Sequence, residues 1–248
     1  MDQPSFVVTG GARGVGRSIA HRLAQDGQVV VLDVIGALDW DDPSIQLVSG
    51  DARDPLVARE AAQRGEERGP LSGWVNNAAV FGDAGLASAS AHDVLGLITT
   101  NLALALTGCH VAVNHYLHHN RAGAIVNVSS HQAQRPVRGA LPYATAKAGI
   151  EGLTRAIAVD HGPQGIRTNA VALGTISTAR YESYRSEHPE VDEQMTALHP
   201  LGRVGTGNDV AEAVAFLLSP QAAFVNGVVL PIDGGRAVLG TDPEAADT

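Results

Sequence analysis

Seven short runs of apolar and β-branched residues recur along the chain, at Phe6–Thr9, Gln28–Asp33, Ile45–Ser49, Gly73–Asn76, Ala124–Ser129, Arg167–Ala172 and Val228–Ile232. They are continuous rather than alternating, the pattern of strands covered on both faces. Longer stretches with helical spacing fall between them, at about Val15–Asp26, Pro55–Arg68, His92–His118, Pro142–His161 and Asn208–Leu218. The alternation predicts an α/β fold: a doubly wound, parallel, seven-stranded sheet with helices on both faces, in a single domain over residues 1–248.

Two stretches break the rhythm. Residues 34–44 leave barely enough chain for the crossover that a parallel pair requires, so only a rudimentary helix is expected there. Residues 175–205 read as polar and irregular, with Tyr181, Tyr184, His188, Met195 and His199 scattered through them. A segment of that length in a compact domain acts as a lid or substrate loop. The small, acidic residues 240–248 read as a frayed tail.

Composition narrows the function. A net charge of -9 repels a phosphate backbone, so neither nucleic acid nor an anionic membrane is an expected partner. No basic leader opens the chain, and no unbroken apolar run approaches the roughly 20 residues of a membrane span. The single cysteine, Cys109, excludes an internal disulfide and reads as a small core residue, in keeping with a cytoplasmic location. Asn127-Val128-Ser129 matches a glycosylation sequon by chance, since it lies within a strand.

The first strand runs straight into Thr9-Gly10-Gly11-Ala12-Arg13-Gly14-Val15-Gly16 and then an amphipathic helix. Residues without Cβ at a helix N-terminus let backbone N–H groups approach a pyrophosphate, which makes this a dinucleotide site. Asp33, seventeen positions after Gly16, closes the second strand. Its carboxylate would accept from the adenosine ribose hydroxyls and repel a 2′-phosphate, favouring NAD over NADP. The plainer role for Asp33 is to cap a turn. Arg13 is the cation that could instead receive a 2′-phosphate.

Tyr143 and Lys147 stand four residues apart on one helical face, and Ser130 lies thirteen positions before Tyr143 at the carboxyl edge of a strand. A nearby cation favours the phenolate, so Tyr143 can act as a general acid and base while the Ser130 hydroxyl binds a substrate oxygen. Ser129 is expected to end the strand. The Ser130-His131 pair is no hydrolase dyad, because adjacent residues seldom reach that geometry and no nucleophile elbow surrounds the serine. His115, His118 and His119 share a helical face, yet no carboxylate or cysteine completes the set, so surface histidines and no metal are expected.

Thr9 to Gly16, Asn76-Asn77-Ala78-Ala79, Asn101, Ser130, Tyr143, Lys147 and Asp233-Gly234-Gly235 together resemble the short-chain dehydrogenase/reductase family over nearly everything from Phe6 to Gly235. The resemblance implies a Rossmann-type fold and an NAD-dependent oxidoreductase. In it Tyr143 is the acid/base, Lys147 holds the nicotinamide ribose and lowers the tyrosine pKa, Ser130 orients the carbonyl and Asn101 anchors a relay water. Gly10, Arg13, Gly14, Val15 and Gly16 would hold the cofactor with Asp33, Asp51, Ala52, Asn77, Ala78, Tyr143, Lys147, Ile176 and Thr178. A dimer or tetramer is implied, built on helices around Leu102–Val113 and Ile150–Val159 whose small residues Ala103, Ala105, Gly108 and Ala156 would allow close packing.

Two positions depart from the family pattern. Leu173-Gly174 replaces Pro-Gly and forfeits a fixed φ, and Ala79 replaces a glycine, with a penalty if its backbone is left-handed. Phe81, His131, Gln132, Tyr181 and Tyr184 point to a small polar or sugar-like alcohol as the substrate, with a steroid or cyclic ketone as the alternative. A non-catalytic nucleotide sensor and an NADP-dependent carbonyl reductase are the competing functions.

Overall fold

The computed structural model describes residues 3–240; of the expected tail, residues 241–248 lie outside them. One parallel sheet of seven strands runs in the order β3-β2-β1-β4-β5-β6-β7. Its strands are β1 (Ser5–Thr9), β2 (Gln28–Asp33), β3 (Ile45–Ser49), β4 (Leu71–Asn76), β5 (Gly123–Ser130), β6 (Ile166–Leu173) and β7 (Val229–Ile232). The helices are α1 (Gly14–Leu23), α2 (Pro55–Arg68), α3 (Ala91–His118), α4 (Leu141–His161), α5 (Ala179–Glu187), α6 (Val191–Ala197) and α7 (Gly207–Leu218).

The pleat explains why the strand sequences read as unbroken apolar runs. Phe6, Val8, Val29, Val31, Val75 and Val126 face one side and pack with Ile19 and Leu23 of α1 and Val210 and Val214 of α7. Val7, Val30, Leu32, Trp74 and Ile125 face the other, against Ala58 and Ala62 of α2, Leu104 and Ala112 of α3, and Leu153 of α4. Both faces are dry, so neither can carry polar residues at every second position.

Three expectations are corrected. No helix forms between β2 and β3: residues 34–44 are bends and a turn. They are held instead by Trp40, whose Nε1 donates to the Ala12 carbonyl at 3.0 Å and whose ring lies 4.4 Å from that of His21. Residues 175–205 are not irregular, because α5 and α6 occupy much of them, α5 being capped by the Thr178 hydroxyl, which accepts from the Tyr181 N–H at 3.3 Å. The periodicity was hidden because α5 buries none of its own residues. Finally, β5 extends through Ser130, which pairs with Leu173, so the turn starts one residue later than Ser129 implies.

The sheet and α4 are joined by a buried chain of hydrogen bonds. Trp74 Nε1 donates to Asn76 Oδ1 at 2.8 Å, Asn76 Nδ2 to Asn127 Oδ1 at 2.8 Å, Asn127 Nδ2 to Thr154 Oγ1 at 2.9 Å, and Thr154 Oγ1 to the Ile150 carbonyl at 2.8 Å. Asn127 is fully buried within it and cannot be a glycosylation acceptor. Cys109 packs alongside, accepting from Asn76 Nδ2 at 3.2 Å, and burial pushes its thiol up to about 12. α3 is the one helix among the described residues long and apolar enough to cross a membrane, with a stretch of mean hydropathy 1.6. Here it lies against the sheet with Leu104, Cys109, Ala112 and Tyr116 in the core.

Gly108 sits where α3 crosses this chain. It serves the subunit's own interior rather than an oligomer contact: a Cβ would lie 1.9 Å from Asn76 Oδ1 and 2.6 Å from Trp74 Nε1. Gly108→Ala should therefore overpack the core and lower unfolding free energy by roughly 1–3 kcal/mol in urea titrations, despite alanine's better helix propensity. A neutral or stabilising result would show that the chain tolerates displacement.

Candidate active site

A cleft of about 1020 Å³ opens at the carboxyl ends of the strands. Among the expected site residues only Asn101 is absent from its wall. The crevice forms here because the chain winds one way from β1 to β3 and the other way from β4 to β7, so the loops after β1 and β4 part to opposite faces of the sheet.

At one end the glycine turn leaves β1. Gly10 has φ +63°, and a Cβ on it would lie 2.8 Å from the Ala78 Cα; a Cβ on Gly16 would lie 2.1 Å from the Gly10 carbonyl oxygen. Gly14, with φ +56°, meets nothing nearer than Thr178 Cγ2 at 4.0 Å, so its face is open to the cleft. Asp54, Ser90 and Thr206 cap α2, α3 and α7, but the residue before α1 is Arg13, which gives no side-chain cap. The leading N–H groups of α1 and the open face of Gly14 fit a phosphate.

Asp33 takes the plainer, turn-capping role expected of it and also stands in the cleft wall. One carboxylate oxygen accepts from the Ala12 N–H at 3.1 Å, fixing the glycine turn, while the residue lines the cleft. Asn77 holds the seam between β1 and β4, its Nδ2 donating to the Thr9 and Gly10 carbonyls at 3.1 and 2.9 Å, and the Ala78 N–H donates to Thr9 Oγ1 at 3.1 Å. Asp51 and Ala52 line the wall after β3, with Asp51 paired to Arg53 at 2.6 Å. Val15 and Ile176 also line the cleft, as does Thr178 beside its capping role.

Toward the other end stand Ser130, Tyr143 and Lys147. α4 brings the last two to one face, with Lys147 Nζ 5.4 Å from the Tyr143 ring centre and donating to the Val128 carbonyl at 2.6 Å. Burial disfavours both charges: it pushes the Tyr143 phenol up to about 12 against the pull of the Ser130 hydroxyl and the Arg180 guanidinium, and it pushes the Lys147 ammonium down to about 8. The expectation that Lys147 lowers the tyrosine pKa is thus not met here, because its Nζ is turned to Val128; Arg180 supplies the cationic pull. The Phe81 ring stacks on Tyr143 at 5.0 Å and Arg180 lies 4.8 Å over the Phe81 ring, a layered wall that sequence spacing could not show.

Asn101 stands back from the cleft. Its Oδ1 accepts from the Val80 N–H at 3.0 Å and its Nδ2 donates to the Val80 and Leu97 carbonyls at 3.0 and 3.1 Å, so the side chain clamps the loop beyond β4. The two departures carry no visible strain. Among the described residues Asn120 is the only non-glycine with positive φ, so Ala79 is not left-handed. The exit from β6 lacks proline but is pinned by hydrogen bonds, Gly174 N–H to the Ile232 carbonyl at 3.0 Å and Ser177 N–H to the Gly205 carbonyl at 2.8 Å.

The histidine cluster also differs from expectation. Folding brings Glu66 from α2 to His115 and His119, completing a triad that sequence neighbourhood did not reveal, while His118 stays apart. Arg121 shares the same carboxylate at 2.5 Å, and although burial raises Glu66, hydrogen bonds from Arg121 and His115 outweigh it and hold it near 2. The group is an ion-pair cluster with its carboxylate already taken.

Sequence reasoning did not single out Thr175 or Arg180 within the loop it expected at 175–205, and it missed Arg236 in the wall. The one signal for Arg236 was its position directly after Asp233-Gly234-Gly235.

Comparison with known proteins shows relatives over nearly the whole chain. A family model described as enoyl-(acyl carrier protein) reductase matches residues 10–237. A 3-oxoacyl-(acyl-carrier-protein) reductase from Chlamydia muridarum is 33% identical over 93% of this chain and 96% of its own. A 3beta-hydroxysteroid dehydrogenase 1 from Eggerthella lenta is 30% identical over 94% of each. Among solved structures, a putative 2-deoxy-D-gluconate 3-dehydrogenase from Agrobacterium tumefaciens with bound NADP superposes with a TM-score of 0.85 at 28% identity, covering 96% of this chain and 98% of that one.

The buried lysine makes a stability prediction. Its pKa falls from 10.5 unfolded to about 8 folded, so between these values the unfolded chain holds the extra proton and stability rises with pH. Lys147→Met should therefore stabilise the cofactor-free protein near pH 7, by on the order of 2 kcal/mol, with the gain shrinking as pH climbs toward 10. Parallel stability curves for the two proteins would show that Lys147 is not held near 8.

Proposed function

This chain belongs to the short-chain dehydrogenase/reductase family, and within it we propose an NAD(H)-dependent oxidoreductase that interconverts a secondary alcohol and a ketone. The observation that carries this reading is the meeting of Ser130, Tyr143 and Lys147 on the wall of the cleft that the glycine turn opens into. A pure nucleotide sensor has no use for a buried phenol, hydroxyl and ammonium beside its ligand. The family model's description names a carbon–carbon double-bond reductase, but a hydroxyl and a phenol side by side suit a substrate oxygen, the chemistry in the names of the oxoacyl reductase and the hydroxysteroid dehydrogenase.

A bound nicotinamide would supply hydride chemistry. The protein's own residues position and move the proton. In oxidation the Tyr143 oxygen takes the hydroxyl proton of the substrate, and in reduction it returns it. Ser130 Oγ donates to the same substrate oxygen and steadies the charge that develops on it. Lys147 and Ser129 form the floor beneath, and Phe81 lies across the phenol as an apolar cover. α5 and α6, over residues 179–197, act as the cap of the substrate end. Asn101 serves by fixing Val80, and hence the wall beside Phe81.

NAD is favoured because the Asp33 carboxylate lines the wall beside the glycine turn, where it would repel a 2′-phosphate. The opposing observations are Arg13 in the same wall and the NADP bound to the Agrobacterium protein. A homo-oligomer, dimer or tetramer, fits the apolar side chains Leu95, Leu106 and Val159 left on the outer faces of α3 and α4. A cytoplasmic location accords with the single, buried, free cysteine.

Two measurements test the reading. Tyr143→Phe should abolish turnover yet retain nicotinamide binding; in the parent, kcat/KM for oxidation should rise with pH, up to about tenfold per unit, as the phenol ionises, while reduction, which uses the phenol, should not. A pH-independent oxidation or an active phenylalanine variant would sink the assignment. Fluorescence titration should show NADH binding more tightly than NADPH, with Asp33→Ser shrinking that difference by on the order of tenfold. Tighter NADPH in the parent would transfer the site to Arg13.

A further inference from the structure

Beyond Tyr143 the cleft presents charges and orphaned polar atoms that acid/base chemistry leaves unused. Arg236 lines the wall half-buried, and its guanidinium makes one hydrogen bond, Nη1 to Thr175 Oγ1 at 2.8 Å. Among the described residues no carboxylate lies within salt-bridge distance of it; the nearby Asp233 is committed to the N–H groups of Gly235 and Ala237 at 3.0 and 2.7 Å. A planar cation left partly desolvated in a cleft, with most of its donors unused, fits a carboxylate. Thr175 fixes its fork, because the hydroxyl that accepts from Nη1 is itself directed at Met195 Sδ, 3.5 Å away.

His131 and Gln132, which directly follow Ser130, supply the second half of the pattern. His131 Nδ1 lies 3.1 Å from the Leu173 carbonyl oxygen. A carbonyl can only accept, so Nδ1 carries the proton and Nε2 is left with a lone pair. Burial and the neighbouring Arg236 both hold the imidazole below its usual pKa, which keeps it in that neutral form. Nε2 is buried with no partner, as is the Gln132 side-chain oxygen. Buried acceptors without donors are costly, and both residues line the cleft, so the missing donors are those of a ligand.

We propose that the substrate is a small polyhydroxylated carboxylic acid, its carboxylate seated on Arg236 and two of its hydroxyls donating, one to His131 Nε2 and the other to the Gln132 side-chain oxygen. This rests on the oxidoreductase reading above and narrows it. An apolar cyclic ketone would leave the guanidinium and both acceptors unpaired, whereas a neutral polyol would satisfy only the acceptors. Arg180, on the opposite layer over Phe81, adds positive potential to the same end of the cleft.

The test compares four- to six-carbon aldonates with the alditols that carry CH2OH in place of the carboxylate, and with 3-hydroxybutanoate, which keeps the acid but lacks the extra hydroxyls. Calorimetric titration into protein saturated with NADH avoids turnover. At least one aldonate should bind on the order of 10- to 100-fold more tightly than its alditol, and more tightly than 3-hydroxybutanoate. Arg236→Gln should collapse the aldonate-to-alditol ratio toward one, with Arg236→Lys recovering part of it; His131→Phe should narrow the gap between aldonates and 3-hydroxybutanoate. Equal binding of aldonates and alditols, an unchanged ratio in Arg236→Gln, or no binding of any aldonate would each overturn the proposal. NADH binding is measured separately, so its loss would count against the dehydrogenase reading and not against the substrate.

Discussion

The buried polar chain from Trp74 through Asn76, Asn127 and Thr154 is the constraint on which the site depends. Each side chain is paired to the next, so β4, β5 and α4 have one mutual register in which no buried polar atom of the chain is orphaned. Apolar packing alone would let α4 slide along the sheet with little change in buried area. The hydrogen bonds do not, since sliding by one residue would take Thr154 from the Asn127 carboxamide and leave its amide unpaired in a dry core. Tyr143 and Lys147 stand on the turns of α4 before this anchor, and Ser130 ends the strand that carries Asn127. The relative placement of phenol, ammonium and hydroxyl is therefore set by residues that never touch a ligand. Gly108 is small so that α3 can cover the same chain without breaking it.

At the other end of the cleft the same economy holds with different chemistry. Asp33 fixes the glycine turn through the Ala12 N–H and still forms part of the wall. Thr178 caps α5 and also faces the cleft, so the start of the capping helices is tied to the cofactor end. These double commitments explain why a loop-built crevice can be well formed. Each turn is closed by a side chain that also lines the site, so the wall and the backbone geometry cannot vary independently.

Around Tyr143 the cleft favours neutral forms of its titrating groups. Burial raises the Tyr143 phenol and lowers the Lys147 ammonium, and it leaves His131 uncharged between Leu173 and Arg236. Such a site holds its functional groups at an energetic cost that ligands relieve, the usual trade between stability and activity. Arg236 and Arg180 supply fixed positive charge at the substrate end of a protein that is negative overall, so an anion would be drawn to this one concavity.

The sequence by itself determined the layered α/β architecture, because short continuous apolar runs alternating with helical stretches suit strands covered on both faces, and its local spacing singled out Ser130, Tyr143, Lys147 and the glycine turn, which the fold brings to one cleft. It did not reveal α5 and α6, whose residues bury too little to leave a periodic signal, nor the helix-free crossover held by Trp40. Only the tertiary structure decided which residues meet from distant segments. Glu66 joins His115 and His119 across two helices, Phe81 lies on Tyr143, and Arg236 closes the wall that His131 begins. Asn101 and Gly108 read from sequence as a relay anchor and an oligomer contact; both turn inward, for which side of a helix faces the cleft, the core or a neighbour is fixed by packing and not by the residue's identity.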